Sequence, residues 1–85
     1  MKEDYKIEIK KSAAKEIKSL PDKYLRKVLN KISYLSKTPR PKNCKKLTGK
    51  NEYRVRVSVY RIIYTVEDEK LIIIVIKVIQ RKNVY

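Results

Sequence analysis

Arg54, Arg56, Arg61 and Arg81 carry the most specific chemistry available to this chain. A guanidinium is a planar fork whose N–H groups match the oxygens of a phosphate two at a time, and it holds its charge at any accessible pH. Residues 53–66 contain no carboxylate, so Arg54, Arg56 and Arg61 have no acid in their own stretch of chain to pair with. The same permanent charge prevents arginine from acting as a base. The sequence has no histidine, which removes the usual group for moving a proton near neutral pH. Tyr85, the last residue, follows Arg81 and Lys82 closely. Neighbouring cations lower a phenol's pKa from its usual ~10, so Tyr85 is the best candidate base, and its ring is free to stack on a nucleobase. Lys42, Lys45, Lys46 and Lys50 upstream, with Lys77 and Lys82 downstream, extend the positive region. Together they suggest a groove that tracks a nucleic-acid backbone, with occupancy that falls steeply as salt rises.

The composition points the same way. Lys and Arg number 23 against 9 Asp and Glu, a formal charge of +14. A surplus this large exceeds what solubility requires and predicts a polyanionic partner. No acid lies between Asp22 and Glu52, and none follows Glu69. Nucleic acid is the first expectation for the counter-charge and an acidic protein the second. A membrane surface fits poorly, because no polybasic amphipathic helix with an exposed apolar face is evident. Cys44 is the one cysteine, so no intrachain disulfide forms and a zinc-finger type of metal site is excluded. Neither a metal nor a small-molecule cofactor is expected. Met1 to Ile9 is charged throughout and lacks the apolar core of a signal peptide. The longest apolar run, Leu71 to Ile76, is far short of a membrane span. These features predict a cytoplasmic protein with a reduced thiol.

The elements that must position the arginines can be read from periodicity. A chain of 85 residues has room for a single domain over residues 1–85 with a modest core. Tyr5 to Lys10 alternates apolar and charged, as a strand with one wet face does. Ser12 is the expected cap of a short helix bearing Ala13, Ile17 and Leu20, which Pro21 ends. Asp22 is the expected cap of a longer helix whose Leu25, Val28, Leu29, Ile32 and Leu35 form one stripe. Lys23, Arg26, Lys27, Lys31 and Lys37 lie around its other side, as on a solvated face. Thr38-Pro39-Arg40-Pro41 stops this helix. Cys44 to Leu47 is a candidate short strand.

From Glu52 the period is two. Tyr53, Val55 and Val57 share one face with Arg54 and Arg56 on the other, and after Val59 the regular set becomes Tyr60, Ile62, Tyr64 and Val66. Such a change of parity needs a turn or bulge. A two-residue loop at Ser58-Val59 sets Val57 opposite Tyr60, Val55 opposite Ile62 and Tyr53 opposite Tyr64, all on one face. Ser-Val is a poor sequence for such a turn, which favours Gly or Asn. The same register puts Arg56 directly across from Arg61 on the face away from the core, where opposed like charges are destabilising. A bound phosphate accounts for that arrangement. Arginines that splay into water and keep the sheet soluble are the alternative. Glu67-Asp68-Glu69 forms the next turn, and Leu71 to Ile79 reads as a central strand whose Leu71, Ile73 and Val75 leave an apolar strip on the open face. A partner peptide or the chain's own C-terminal segment would cover it. The class is α+β, an antiparallel β-sheet with two N-terminal α-helices packed on one face.

Tyr53-Arg54-Val55-Arg56-Val57, Tyr60-Arg61-Ile62-Ile63-Tyr64, the apolar strand after them, and Arg81 with Tyr85 beyond it resemble the RelE/ParE toxin superfamily. Lys45-Lys46-Leu47-Thr48-Gly49 also resembles the segment before its first hairpin strand, and the likeness covers almost the whole chain. It implies a ribosome-dependent, metal-independent endoribonuclease that cuts mRNA in the A site and is silenced by a cognate RelB-like antitoxin. In the RNA-cutting members basic residues, often lysine, stand where this chain has Arg54 and Arg56. Arg61 and Arg81 fall on the phosphate-binding and leaving-group arginines, and Tyr85 on the C-terminal tyrosine. The chain departs from the pattern at the Ser58-Val59 turn, where many relatives have glycine, and at Gln80, where numerous members carry histidine. Two other readings stand beside this one. A ParE-like toxin shares the fold and poisons DNA gyrase without being a nuclease. A noncatalytic basic module would bind RNA and yield no cleavage products.

Overall fold

The computed structural model describes residues 4–47 and 51–80. Its elements in chain order are β1 (Lys6–Ile9), α1 (Lys11–Lys18), α2 (Asp22–Lys37), β2 (Lys45–Lys46), β3 (Glu52–Val57), β4 (Tyr60–Glu67) and β5 (Ile72–Gln80). The strands form one five-stranded sheet in the order β1-β5-β4-β3-β2. All neighbouring pairs are antiparallel except β1 and β5, which run parallel. The α+β class therefore holds, with one parallel pair at the edge. β1 pairs only with β5, the last strand of the described chain.

The core lies between the helices and one sheet face. Ala13 and Ile17 from α1 and Val28, Ile32 and Leu35 from α2 pack over Tyr53, Val55, Val57, Ile62, Tyr64, Val66, Ile73, Val75 and Val78. Alternation in β3 and β4 and the i, i+4 spacing in the helices deliver these side chains to one layer. Leu29, placed in the α2 stripe on spacing alone, is 45 % exposed. It sits at the margin of a contact that Val28, Ile32 and Leu35 already fill. Neither helix has its expected cap. Lys10 precedes α1 and Pro21 precedes α2, and neither makes a side-chain cap hydrogen bond. Ser12 lies inside the first turn of α1, and Asp22 opens α2, where its charge complements the helix dipole.

The β3–β4 hairpin has the register read from parity: Val57 pairs with Tyr60, Arg56 with Arg61, Val55 with Ile62 and Tyr53 with Tyr64. Ser58 takes the left-handed conformation, φ 57°, that a two-residue hairpin loop demands of its first central residue. Serine tolerates this less well than glycine, and the fit of the strands on either side outweighs the local cost.

The β4–β5 register corrects the reading of the last strand. Leu71 belongs to the turn, with φ 56°, and the strand begins at Ile72. Ile63 pairs with Lys77 and the adjacent Tyr64 with Val75, so Ile76 is the extra residue of a bulge. Before the bulge the odd residues Ile73 and Val75 point into the core; beyond it the even Val78 does. Ile73 and Val75, expected on the open face, are fully buried. The half-buried apolar residues on that face are Ile72 and Ile74, with Ile79 farther along the same strand and Ile63 on β4. The bulge also keeps Lys77 out of the core, since unbroken alternation from Ile73 would bury its ammonium. Past Val75 the strand has no β1 partner, and the Val78 N–H donates instead to the Glu16 carboxylate at 2.9 Å. No helix among the described residues is long and apolar enough to cross a membrane.

Candidate nucleic-acid interface

The open face of the hairpin is where the register brings cations together. Arg56 on β3 faces Arg61 on β4, and Arg54 faces Lys45 on β2. These four side chains and Asn43 line a pocket of ≈ 280 Å³. Their exposures differ: Arg56 is exposed, Arg54 is intermediate and Arg61 is only 5 % exposed. Arg61 is the one charged side chain buried among the described residues, and its Nε, shut off from solvent, has no hydrogen-bond partner. Burying a guanidinium N–H without an acceptor is costly. The alternative that these arginines splay into water does not describe Arg61. An anion with several oxygens would satisfy the Nε, and the surrounding cations would favour it over water.

The other residues named from sequence distribute as follows. Lys77 pairs with Ile63 and shares the open face, two strands from Arg54, but does not line the pocket. Lys46 pairs with Tyr53 and so stands on the opposite face from Arg54; it is not part of this cluster. Lys42 lines a neighbouring hollow, together with Tyr34 and Asn43. Lys50, Arg81, Lys82 and Tyr85 lie outside the described residues. Asn43 was missed by sequence reasoning, and only its position just before a strand that begins at Lys45 could have marked it.

The connection that carries Asn43 and Lys45 to the pocket, and Lys42 to the hollow beside it, is tied down by a separate network. Arg40 forks onto Asp68 at 2.8 and 3.1 Å, and its Nε donates to the Tyr53 hydroxyl at 3.0 Å. Its guanidinium lies 5.1 Å from the Tyr53 ring centroid. The Tyr5 hydroxyl donates to the same carboxylate at 2.7 Å, joining β1 to this point. Beneath, the Tyr64 hydroxyl donates to the Pro39 carbonyl at 2.7 Å, and its ring stacks on Tyr53. The hydrogen bonds from Arg40 and then Tyr5 hold the Asp68 carboxyl at about 2. Burial pushes the Tyr64 phenol up, with Cys44 adding to the effect, so it stays protonated and keeps its bond to Pro39.

Comparisons with known proteins agree with this fold. Residues 7–85 match the family described as the ParE toxin of the type II toxin–antitoxin system parDE. A protein of Methanocaldococcus jannaschii named as the toxin RelE1 is 36 % identical over 95 % of this chain and 94 % of its own length. In the archaeal RelE–RelB complex from Pyrococcus horikoshii, a chain 31 % identical superposes with a TM-score of 0.84, covering 92 % of this chain and 96 % of that one. The isolated E. coli RelE toxin, 29 % identical, superposes with a TM-score of 0.79 over 89 % of this chain and 83 % of its own.

Proposed function

Given that this chain belongs to the RelE/ParE family and is a toxin of a type II toxin–antitoxin system, we propose that it is an endoribonuclease that cuts mRNA in the ribosomal A site. The observation that carries the reading is Arg61: a buried guanidinium whose Nε has no hydrogen-bond partner among the described residues, set against Arg54 and Arg56 in a pocket of ≈ 280 Å³. In this reading the scissile phosphate occupies that pocket. The 2′-hydroxyl attacks it, a 2′-O–P bond forms, and the bond to the 5′-oxygen breaks. Arg61 and Arg56 neutralise the charge that grows on the phosphate, where fixed cations shielded from water act strongly. The family resemblance assigns removal of the 2′-proton to Tyr85 and support of the leaving oxygen to Arg81. No histidine is present to strengthen the acid–base chemistry. Much of the acceleration then comes from holding the mRNA backbone in line for attack, with the ribosome's help. The cell compartment is the cytoplasm, where translating ribosomes are found.

The test is cleavage of mRNA on translating ribosomes. Arg61→Ala should cut about 10²–10³-fold more slowly than the wild type. Equal cutting by the two removes Arg61 from the mechanism. The relatives from P. horikoshii and E. coli include toxins solved with RelB, and we assign this chain a RelB-like antitoxin as its partner. The half-buried Ile72 and Ile74 on the open face offer it apolar area. One observation favours a second reading: the matched family is described by its ParE members. A gyrase poison would trap cleaved plasmid when incubated with DNA gyrase and leave programmed ribosomes untouched. That pair of results would replace the ribonuclease reading.

A further inference from the structure

The arginine pocket does not end at the sheet. β2 pairs only with Tyr53 and Arg54, so on the side away from β4 the described residues place no strand beside Arg56 and Val57. The hollow passes over this bare edge to the outer face of α2. A concavity of ≈ 410 Å³ links Arg56 to Lys27, Lys31 and Tyr34, and a second of ≈ 540 Å³ links Lys31 and Tyr34 to Asn43. Arg56 and Asn43 are the very residues that line the arginine pocket. Tyr34 is common to both flanking concavities and stands between them with 48 % of its surface exposed. Lys31 Nζ lies 5.2 Å from its ring centroid.

An exposed aromatic ring with a cation beside it, on a path that begins at a buried arginine, has the composition of a single-stranded nucleic-acid subsite. We infer that Tyr34 is a stacking platform for a base of the same RNA strand that occupies the arginine pocket, with Lys31 and Lys27 holding the adjoining phosphates. The lysines of this helix therefore divide: Lys27 and Lys31 line the path, whereas Lys23 and Lys37 do not. The occupant is a single strand because the path turns around a sheet edge, and a duplex is stiff over such a distance. A cationic face with no acid from Lys23 to Asn51 also gives an acidic peptide something to bind, but a peptide needs no ring at the centre of the path.

This subsite rests on the RNA-binding reading of the arginine pocket, and its test separates the two. The probe is a short fluorescent oligouridylate with 2′-O-methyl riboses, which cannot be cut, titrated into the full chain without ribosomes. Tyr34→Ala leaves the charge unchanged and removes one ring, so binding should weaken by about tenfold, while Tyr34→Phe should bind as the wild type does. An otherwise identical oligomer lacking its bases should bind wild type and Tyr34→Ala alike. Lys31→Gln should lower the salt dependence by about one ion. Equal oligouridylate affinity of Tyr34→Ala and wild type overturns the subsite, as does a Tyr34 effect seen only with polyglutamate. If ribosomal cleavage fails while the Tyr34 effect persists, the ribonuclease reading falls and the base platform stands.

Discussion

Arg40 and Arg61 are the same residue type in the same small domain, used in opposite ways. Arg40 has a carboxylate fork, a phenol oxygen and an aromatic face, and together these staple the α2–β2 connection to the β4–β5 turn. It does so at the surface, with 42 % of its side chain exposed. Arg61 is almost wholly buried, faces another arginine across the ladder, and has an Nε with no acceptor among the described residues. A fold selected for stability alone would exchange these environments, placing the buried guanidinium beside the acid. Asp68, the one carboxylate that pairs with an arginine among the described residues, goes to the loop instead. The stapled arginine therefore positions structure, and the other is the one that the proposed function gives to the phosphate.

Substituting each arginine by methionine, which keeps much of the side-chain volume, tests that contrast most sharply. Arg61→Met should abolish phosphate recognition and, by removing an uncompensated buried charge, raise stability by about 1 kcal/mol or more. Arg40→Met should lower stability by about 1 kcal/mol at most, because solvent screens its ion pair. Urea melts of the two variants must shift in opposite directions; a loss of stability in Arg61→Met would mean that its charge is already compensated. Beneath the staple, Tyr64→Phe removes the donor to the Pro39 carbonyl within the core, and this should cost about 1–2 kcal/mol in the same melts. A smaller effect is expected from acid. The Asp68 carboxyl is held below the ordinary carboxylate value of ~3.9, at about 2. Its contribution is therefore present in full above about pH 4 and is lost as pH falls through about 2. Asp68→Asn should melt below the wild type at neutral pH, and the gap between their Tm values should close across that acid window. A gap independent of pH would show that the staple does not depend on the charge.

The hairpin shows how much of this was legible beforehand. Strict alternation in Tyr53 to Val57, broken once at Ser58-Val59 and resumed from Tyr60, has only one register that keeps its apolar residues on one face. Arg56 opposite Arg61 follows from it without coordinates. The strand after it was not legible in the same way. Leu71 to Ile79 is apolar at almost every position, so nothing in it distinguishes odd from even, and the bulge at Ile76 reverses parity midway. The helix caps were misplaced for a related reason. Ser12 and Asp22 are good capping residues, but the chain enters each helix where packing sets Lys10 and Pro21, not where a side chain could bond.

The sequence by itself determined the cationic surplus, the α+β order of elements, and the pairing of Arg56 with Arg61, because charge and period-two alternation are properties of neighbours along the chain. It also carried the family resemblance that the comparisons bear out. Only the tertiary structure decided which arginine is buried and which is satisfied. Arg40 meets Asp68 across 28 positions of sequence, and Tyr34 lines one concavity with Asn43 and another with Arg56. Both depend on how a helix settles on a twisted sheet, a long-range contact on which local periodicity is silent.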